Sequence, residues 1–173
     1  FDVSHMGEFF FYGSRALDLI QRVTTNDASK LSPGKVQYSC MPNEEGGIVD
    51  DLLVYCLGEE EYMLVVNASN IEKDWKWISK FNTDGVEMVD RSDAYSLLAI
   101  QGPKAAEAIK SLTALSIGDM PYYTVQVGDF AGLKDVILAT TGYTGSGGYE
   151  IYVKNEDAEQ LWDAVFEAGK SQG

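Results

Sequence analysis

The stretch Asn43-Glu44-Glu45-Gly46-Gly47-Ile48-Val49-Asp50-Asp51-Leu52-Leu53-Val54-Tyr55 reads as a tight turn feeding a long return strand. Glycine at 46 and 47 permits the positive φ that hairpin turns require. The apolar run 36–41 before the turn and 48–57 after it form the two arms. A third run, 62–66, is almost wholly apolar, which predicts a strand in the middle of a sheet. Consecutive strands joined by short turns predict antiparallel pairing.

Working outward, residues 8–12 read as an aromatic strand. Gly13 and Ser14 end it, and Ser14 is expected to cap a helix over 15–23. Residues 70–81 carry Ile71, Trp75 and Ile78 at helical spacing, and 86–89 form a brief strand. The pattern then starts again: a strand at 95–100, Gly102-Pro103 and a helix to about Leu112, with Pro103 suited to the first turn. Strands at 123–127 and 135–141, a turn at 145–148, a strand at 149–153 and a helix at 157–168 complete it.

The halves resemble each other. Gly13-Ser14-Arg15-Ala16-Leu17 aligns with Gly102-Pro103-Lys104-Ala105-Ala106, and Tyr62 precedes Trp75 by the same interval that separates Tyr149 from Trp162. The expectation is an α+β fold of antiparallel sheets with helices packed on one side, built from two similar strand-helix-strand units.

Composition narrows the function. A chain of 173 residues that is 45% hydrophobic can bury a core. Its formal net charge of −14 argues against nucleic acid, whose binding rests on Lys and Arg neutralising phosphates, and against an anionic membrane surface. No stretch approaches the length of a membrane span. Cys40 and Cys56 lie in apolar strands away from any metal-ligand spacing and read as free thiols, in keeping with a reducing compartment. No metal is expected. The chain begins at Phe1, inside what reads as a motif, and is expected to be a piece or a processed product of something longer.

Chemistry points to few residues. His5 is the one histidine, and no Ser-His-Asp set can be assembled around it. The glycine-rich 142–148 stretch lacks the Lys-Ser/Thr of a phosphate loop and leads into a strand, so it reads as a hairpin turn. Asp50-Asp51 is the sharpest feature, because two carboxylates at the start of an apolar strand are costly unless stabilised. Alternation puts Asp51 with Leu53 and Tyr55 on one face and Asp50 with Leu52 and Val54 on the other. Beside Leu and Tyr a desolvated carboxyl could handle a proton. Bonding to the backbone amides of the preceding turn is the competing reading. Tyr38, Asn67, Tyr143 and Glu150 also break apolar patterns, though core packing, a cap or an exposed sheet face would account for each.

Taken together, the segments resemble the glycine cleavage T-protein (aminomethyltransferase) family. The resemblance runs through Phe1-Asp2-Val3-Ser4-His5-Met6-Gly7-Glu8, Thr25-Asn26-Asp27, Pro33-Gly34-Lys35, Tyr38-Ser39 and the 43–52 stretch. It continues through Val65-Val66-Asn67-Ala68-Ser69-Asn70, Glu72-Lys73-Asp74, Gln101-Gly102-Pro103-Lys104-Ala105, Gly142-Tyr143-Thr144-Gly145 and Glu150. The resemblance implies transfer of a one-carbon unit from the aminomethyl-lipoyl arm of H-protein to tetrahydrofolate as co-substrate, with release of ammonia. It implies that Asp51 is the catalytic carboxylate, orienting or deprotonating the attacking nitrogen and stabilising a cationic, iminium-like intermediate. It further implies that Glu150 bonds the pterin N–H groups and that Met6, Tyr38 and Asn67 line the folate pocket, with Tyr123 and Tyr143 as further lining.

The family resemblance also implies a cytoplasmic location in a bacterium, or the mitochondrial matrix in a eukaryote. Residues 1–173 would be the folate-binding catalytic region, lacking the family's N-terminal segment and its C-terminal β-barrel with the arginines that hold the folate tail. The piece alone is therefore expected to bind folate poorly and to be inactive. Ser146 departs from the acidic residue many relatives carry there. Folate-dependent demethylases and the folate-linked halves of sarcosine or dimethylglycine oxidases are the alternative enzymes. A non-catalytic folate-binding relative is disfavoured because the Lys-Gly-Cys-Tyr-x-Gly-Gln-Glu motif is missing, and a tRNA-modifying relative by the charge.

Overall fold

The computed structural model describes residues 1–172. Strands and helices follow in the order β1 (Gly7–Tyr12), α1 (Ala16–Val23), β2 (Lys35–Pro42), β3 (Ile48–Gly58), β4 (Glu61–Val66), α2 (Ile71–Phe81) and β5 (Glu87–Asp90). Then come β6 (Tyr95–Gln101), α3 (Ala105–Ile109), β7 (Val125–Phe130), β8 (Leu133–Ala139), β9 (Gly148–Lys154) and α4 (Ala158–Gly169). The chain divides into two units, His5–Asp93 and Phe1–Ser4 with the chain from Ala94 onward.

In the His5–Asp93 unit the strands lie in the order β2-β3-β4-β1-β5, all antiparallel. The apolar β4 takes the middle place its composition predicts. One face of the sheet presents Phe9, Phe11, Leu52, Val54, Leu64 and Val66 to the helices. Leu19, Ile20 and Val23 of α1 and Ile78 of α2 complete this core, and Trp75 meets Phe9 edge to face at 5.0 Å. The backbone approaches α2 closely at Gly7, where an added Cβ would come within 2.7 Å of Ile71 and Val66.

The unit that holds β6 to β9 has the order β6-β9-β8-β7. Read from its other end, β7-β8-β9-β6 matches β2-β3-β4-β1, with α3 and α4 in the places of α1 and α2. Ile109 and Leu161 of these helices pack with Leu98, Leu138, Ile151 and Val153 of the sheet. The α+β architecture and its internal duplication are thus those the sequence predicts.

Local departures have identifiable causes. Ser14 does not cap α1: the chain turns at Gly13, whose φ is 100°, Ala16 N–H donates to the Gly13 carbonyl, and Arg15 takes the cap position. The helix expected to reach Leu112 ends at Ile109 and tightens into a 3-10 turn over Lys110–Leu112. β7 starts at Val125 and not at Tyr123, because Tyr123 has a φ of 62°, outside the strand region.

The face of the His5–Asp93 sheet turned away from its helices is also buried. Phe10, Tyr55, Met63 and Val65 lie there, and so does Glu8, which is 0% exposed with both carboxylate oxygens lacking a hydrogen-bond partner among the described residues. Burial, and then the charge of Asp90, push the Glu8 carboxyl up to about 8. The folded chain therefore keeps a proton that the unfolded chain releases above its ordinary value of 4.5. With more protons bound folded than unfolded, stability falls as pH rises from about 4.5 to about 8, by up to roughly 1.4 kcal/mol per pH unit. Glu8→Gln should flatten this slope when unfolding is followed by denaturant titration at several pH values. Parallel slopes for the two proteins would show that Glu8 is ionised in the fold.

Candidate active site

The 43–47 turn is closed by Asn43. Its N–H donates to the Gly47 carbonyl at 2.8 Å, and its side-chain oxygen accepts from the N–H groups of Glu45 and Gly47 at 3.0 and 2.8 Å. Gly46 adopts a φ of 82°, the left-handed conformation expected of it. With Asn43 serving the turn amides, the Asp pair that follows is left for other partners.

β3 alternates as its pattern predicts. Asp50, Leu52 and Val54 point toward the helices and are buried, while Asp51 and Leu53 emerge half-buried on the other face. On β2, Cys40 lies opposite Asp51 and Tyr38 opposite Leu53. From that diagonal position the Tyr38 hydroxyl donates to Asp51 Oδ2 at 2.7 Å. Its bond to Asp51, and then burial, push the Tyr38 phenol up to about 12, so it keeps its proton and remains a donor.

Asn67 follows β4 directly. Because Leu52 pairs with Val66, the next step along β4 brings Asn67 beside Asp51. Its Nδ2 donates to Asp51 Oδ1 at 2.9 Å, to the Asp51 carbonyl at 3.1 Å and to Asp50 Oδ1 at 2.9 Å. Facing carboxylates assign the NH₂ edge to this side of the amide. Asp51 therefore has one oxygen held by a phenol and the other by an amide, and no lysine or arginine pairs with it among the described residues. A carboxylate oriented in this way, lacking its own counter-ion, is arranged to receive a proton or to face a developing positive charge.

Behind it lies Asp74 on α2, 0% exposed and in contact with Asp50. Burial, and then its contact with Asp50, push the Asp74 carboxyl up to about 8. Burial alone would raise Asp50 as well, but its bonds with Asp74, Asn67 and Asn70 outweigh that and hold it below the ordinary carboxylate value. As bare carboxylates, Asp74 and Asp50 Oδ2 would have no donor between them. With no other donor at these oxygens among the described residues, one proton held between the two carboxyls relieves their repulsion. Sequence reading missed this role for Asp74; its signal was an acid sitting between Ile71 and Ile78 on the buried stripe of α2.

Met6 immediately precedes β1, whose first residue Gly7 pairs with Val66, next to Asn67. The remaining sequence-predicted residues lie in the other unit. Glu150 on β9 pairs in register with Ala139 and accepts a hydrogen bond from the Thr141 hydroxyl. Burial raises its carboxyl, opposed in part by that bond. Tyr123 stacks on Tyr122 at 4.4 Å, and burial, then Tyr122 beside it and last the Glu150 charge, raise its phenol above the ordinary value. Tyr143 stands fully exposed in the turn before β9. His5 is exposed, and Cys40 and Cys56 are free thiols.

A cavity of about 330 Å³ opens elsewhere in the His5–Asp93 unit, lined by Arg15, Arg22, Lys80, Phe81 and Asp84 among others. Its charges are largely matched within it: Arg15 pairs with Asp18 at 2.8 Å and Asp84 at 2.5 Å, and Arg22 lies over the Phe81 ring. The oriented, counter-ion-free carboxylate at Asp51 is the stronger candidate for chemistry.

Comparison with known proteins concerns the chain as a whole. A protein from Flavobacterium psychrophilum named aminomethyltransferase is 68% identical over 173 residues, covering 100% of this chain and 48% of the relative. The chain thus spans about half the length of the curated relatives it matches. The crystal structure of the glycine cleavage system aminomethyltransferase T from Bartonella henselae superposes with a TM-score of 0.85 at 29% identity, over 95% of this chain and 44% of that one. A heterotetrameric sarcosine oxidase from Corynebacterium sp. U-96 shares the fold, with a TM-score of 0.71 at 16% identity, over 98% of this chain and 82% of that one. Residues 1–173 match the GCVT N-terminal domain throughout, and the chain belongs to that family.

Proposed function

We propose that a polypeptide carrying this domain is the aminomethyltransferase of the glycine cleavage system. It would move a one-carbon unit from the aminomethyl-lipoyl arm of H-protein to tetrahydrofolate, releasing ammonia and leaving the lipoyl group as a dithiol. The observation that carries this reading is the Asp51 carboxylate, held between the Tyr38 hydroxyl and the Asn67 amide with no cationic partner among the described residues, in a chain of this family.

The donor sets suit a reduced folate. A pterin presents adjacent N–H groups, and Glu150 offers a carboxylate whose two oxygens match such a pair. Tetrahydrofolate supplies the two nitrogens that take up the carbon. The protein's part is positioning and electrostatics. Asp51 faces the positive charge that develops as the carbon changes hands and accepts a proton from the attacking nitrogen. Tyr38 and Asn67 hold it in one orientation, while Met6, next to β1 of the same unit, supplies lining.

Two measurements on the full-length enzyme test these roles. Asp51→Asn keeps the shape and removes the charge, its amide oxygen accepting from Asn67 and its NH₂ donating to the Tyr38 oxygen in place of the present bond. Turnover with aminomethylated H-protein should fall by about a hundredfold or more while the folate dissociation constant moves little. Undiminished turnover would remove Asp51 from the mechanism. Glu150→Ala should instead weaken folate binding by roughly ten- to a hundredfold, the worth of hydrogen bonds to a charged acceptor. An unmoved dissociation constant would mean the pterin is held elsewhere. Offering a methylated amine in place of aminomethylated H-protein separates this reading from a folate-linked demethylase.

A further inference from the structure

Asp74 has a place in the site that the reaction does not explain. It lies in the first turn of α2, is 0% exposed, and neither oxygen meets an N–H or O–H donor among the described residues. Its neighbour Asp50 is 7% exposed, and Oδ2 of that residue likewise lacks a donor. Two buried carboxylates in contact repel unless a proton lies between them, and one shared proton turns the clash into a strong hydrogen bond.

The surroundings decide where the proton resides. From β3, Asp50 and Asp51 both add negative potential at Asp74. From its own helix Lys73 is the opposing charge, and Lys73 Nζ donates to the Val49 carbonyl. Asp50 meanwhile receives bonds from Asn67 and Asn70 that favour its ionised form. The proton therefore belongs to Asp74 and the charge to Asp50.

We propose that Asp74 is a positioning residue for Asp51: by donating its proton to Asp50 it fixes Asp50 as the acceptor that keeps the NH₂ edge of Asn67 turned toward Asp51. This rests on the reading of Asp51 as the reacting carboxylate. The chain of contacts is continuous, from Asp74 to Asp50, from Asp50 Oδ1 to Asn67 Nδ2 at 2.9 Å, and from Asn67 Nδ2 to Asp51 Oδ1 at 2.9 Å. If Asp74 loses its proton, Asp50 and Asp74 repel each other and Asn67 loses its anchor on the side away from Asp51. Since Asp74 titrates at about 8, turnover should decline as pH rises through that value.

The test uses the full-length enzyme and two substitutions. Asp74→Asn keeps a donor toward Asp50 that cannot titrate, so it should retain turnover near neutral pH and lose the alkaline decline. Asp74→Leu removes the donor; kcat should drop roughly tenfold, with KM for tetrahydrofolate nearly unchanged, as expected when a reacting group is slightly misplaced. An Asp74→Asn enzyme with the same alkaline decline would overturn the proposal, as would a folded Asp74→Leu enzyme with normal kcat. Should the Leu variant fail to fold, the Asn profile still decides.

An infrared difference spectrum between unsubstituted and Asp74→Asn protein at about pH 7 reads the proton without any reaction. A protonated-carboxyl band that disappears on substitution supports the shared proton, and no difference in that band overturns it. Normal turnover in Asp51→Asn would instead sink the functional reading, and the positioning role with it, while leaving this band in place.

Discussion

Placing two carboxylates on successive residues of a strand inside a packed unit is the constraint around which the Asp51 site is organised. The pleat sends them to opposite faces, yet one oxygen of each comes within 2.9 Å of a single nitrogen, Asn67 Nδ2. The structure answers with an amide at the end of the neighbouring strand. Asn67 lies at the level of the pair and donates to both carboxyl groups, while Tyr38 reaches Asp51 from one side and Asp74 reaches Asp50 from the other. Neutral donors and one retained proton satisfy the oxygens without cancelling the charge on Asp51. A lysine or arginine in the same place would have stabilised the carboxylate more simply and left it poorly suited to a cationic reaction centre.

The sheet explains how so few residues meet so closely. Asp51, Tyr38 and Asn67 come from β3, β2 and the end of β4, three neighbours in one antiparallel register. The Asn43 turn fixes where β3 begins, and a slip of one residue would exchange the environments of Asp50 and Asp51. Asp74 arrives from α2, which packs on the same sheet through Trp75 and Ile78. The duplicated unit carries an acidic residue of its own, Glu150, on β9, the strand that corresponds to β4. The same scaffold thus presents acids from different strand positions in its two copies.

Much of this was legible in the sequence. Gly46-Gly47 flanked by apolar arms specified the hairpin, and the matched Tyr62/Trp75 and Tyr149/Trp162 intervals specified the duplication. Alternation along β3 assigned Asp50 and Asp51 to their faces. What periodicity hid were the buried acids. Glu8 alternates with Phe9 and reads as a solvent-facing strand residue, but that face of the sheet is itself buried. Asp74 stands on the Ile71–Ile78 stripe of α2, but its charged sequence neighbours Glu72, Lys73 and Lys76 mask it. Its position signals burial and not role, because the residue it touches, Asp50, is 24 positions away by the numbering. The strand boundary at Tyr123 was hidden for a different reason, since a positive φ at a tyrosine is imposed by its surroundings and not by its own preference.

The central claim is that Asn67 acts through Asp51 by holding its carboxylate in place. A double-mutant cycle on kcat tests it most directly, with Asn67→Ala, Asp51→Asn and the two combined in the full-length enzyme. The account predicts strong non-additivity: once Asp51 has lost its charge, removing the Asn67 amide should slow the reaction little further. Losses that multiply fully in the double variant would contradict it, because Asn67 would then be contributing by a route that does not pass through Asp51.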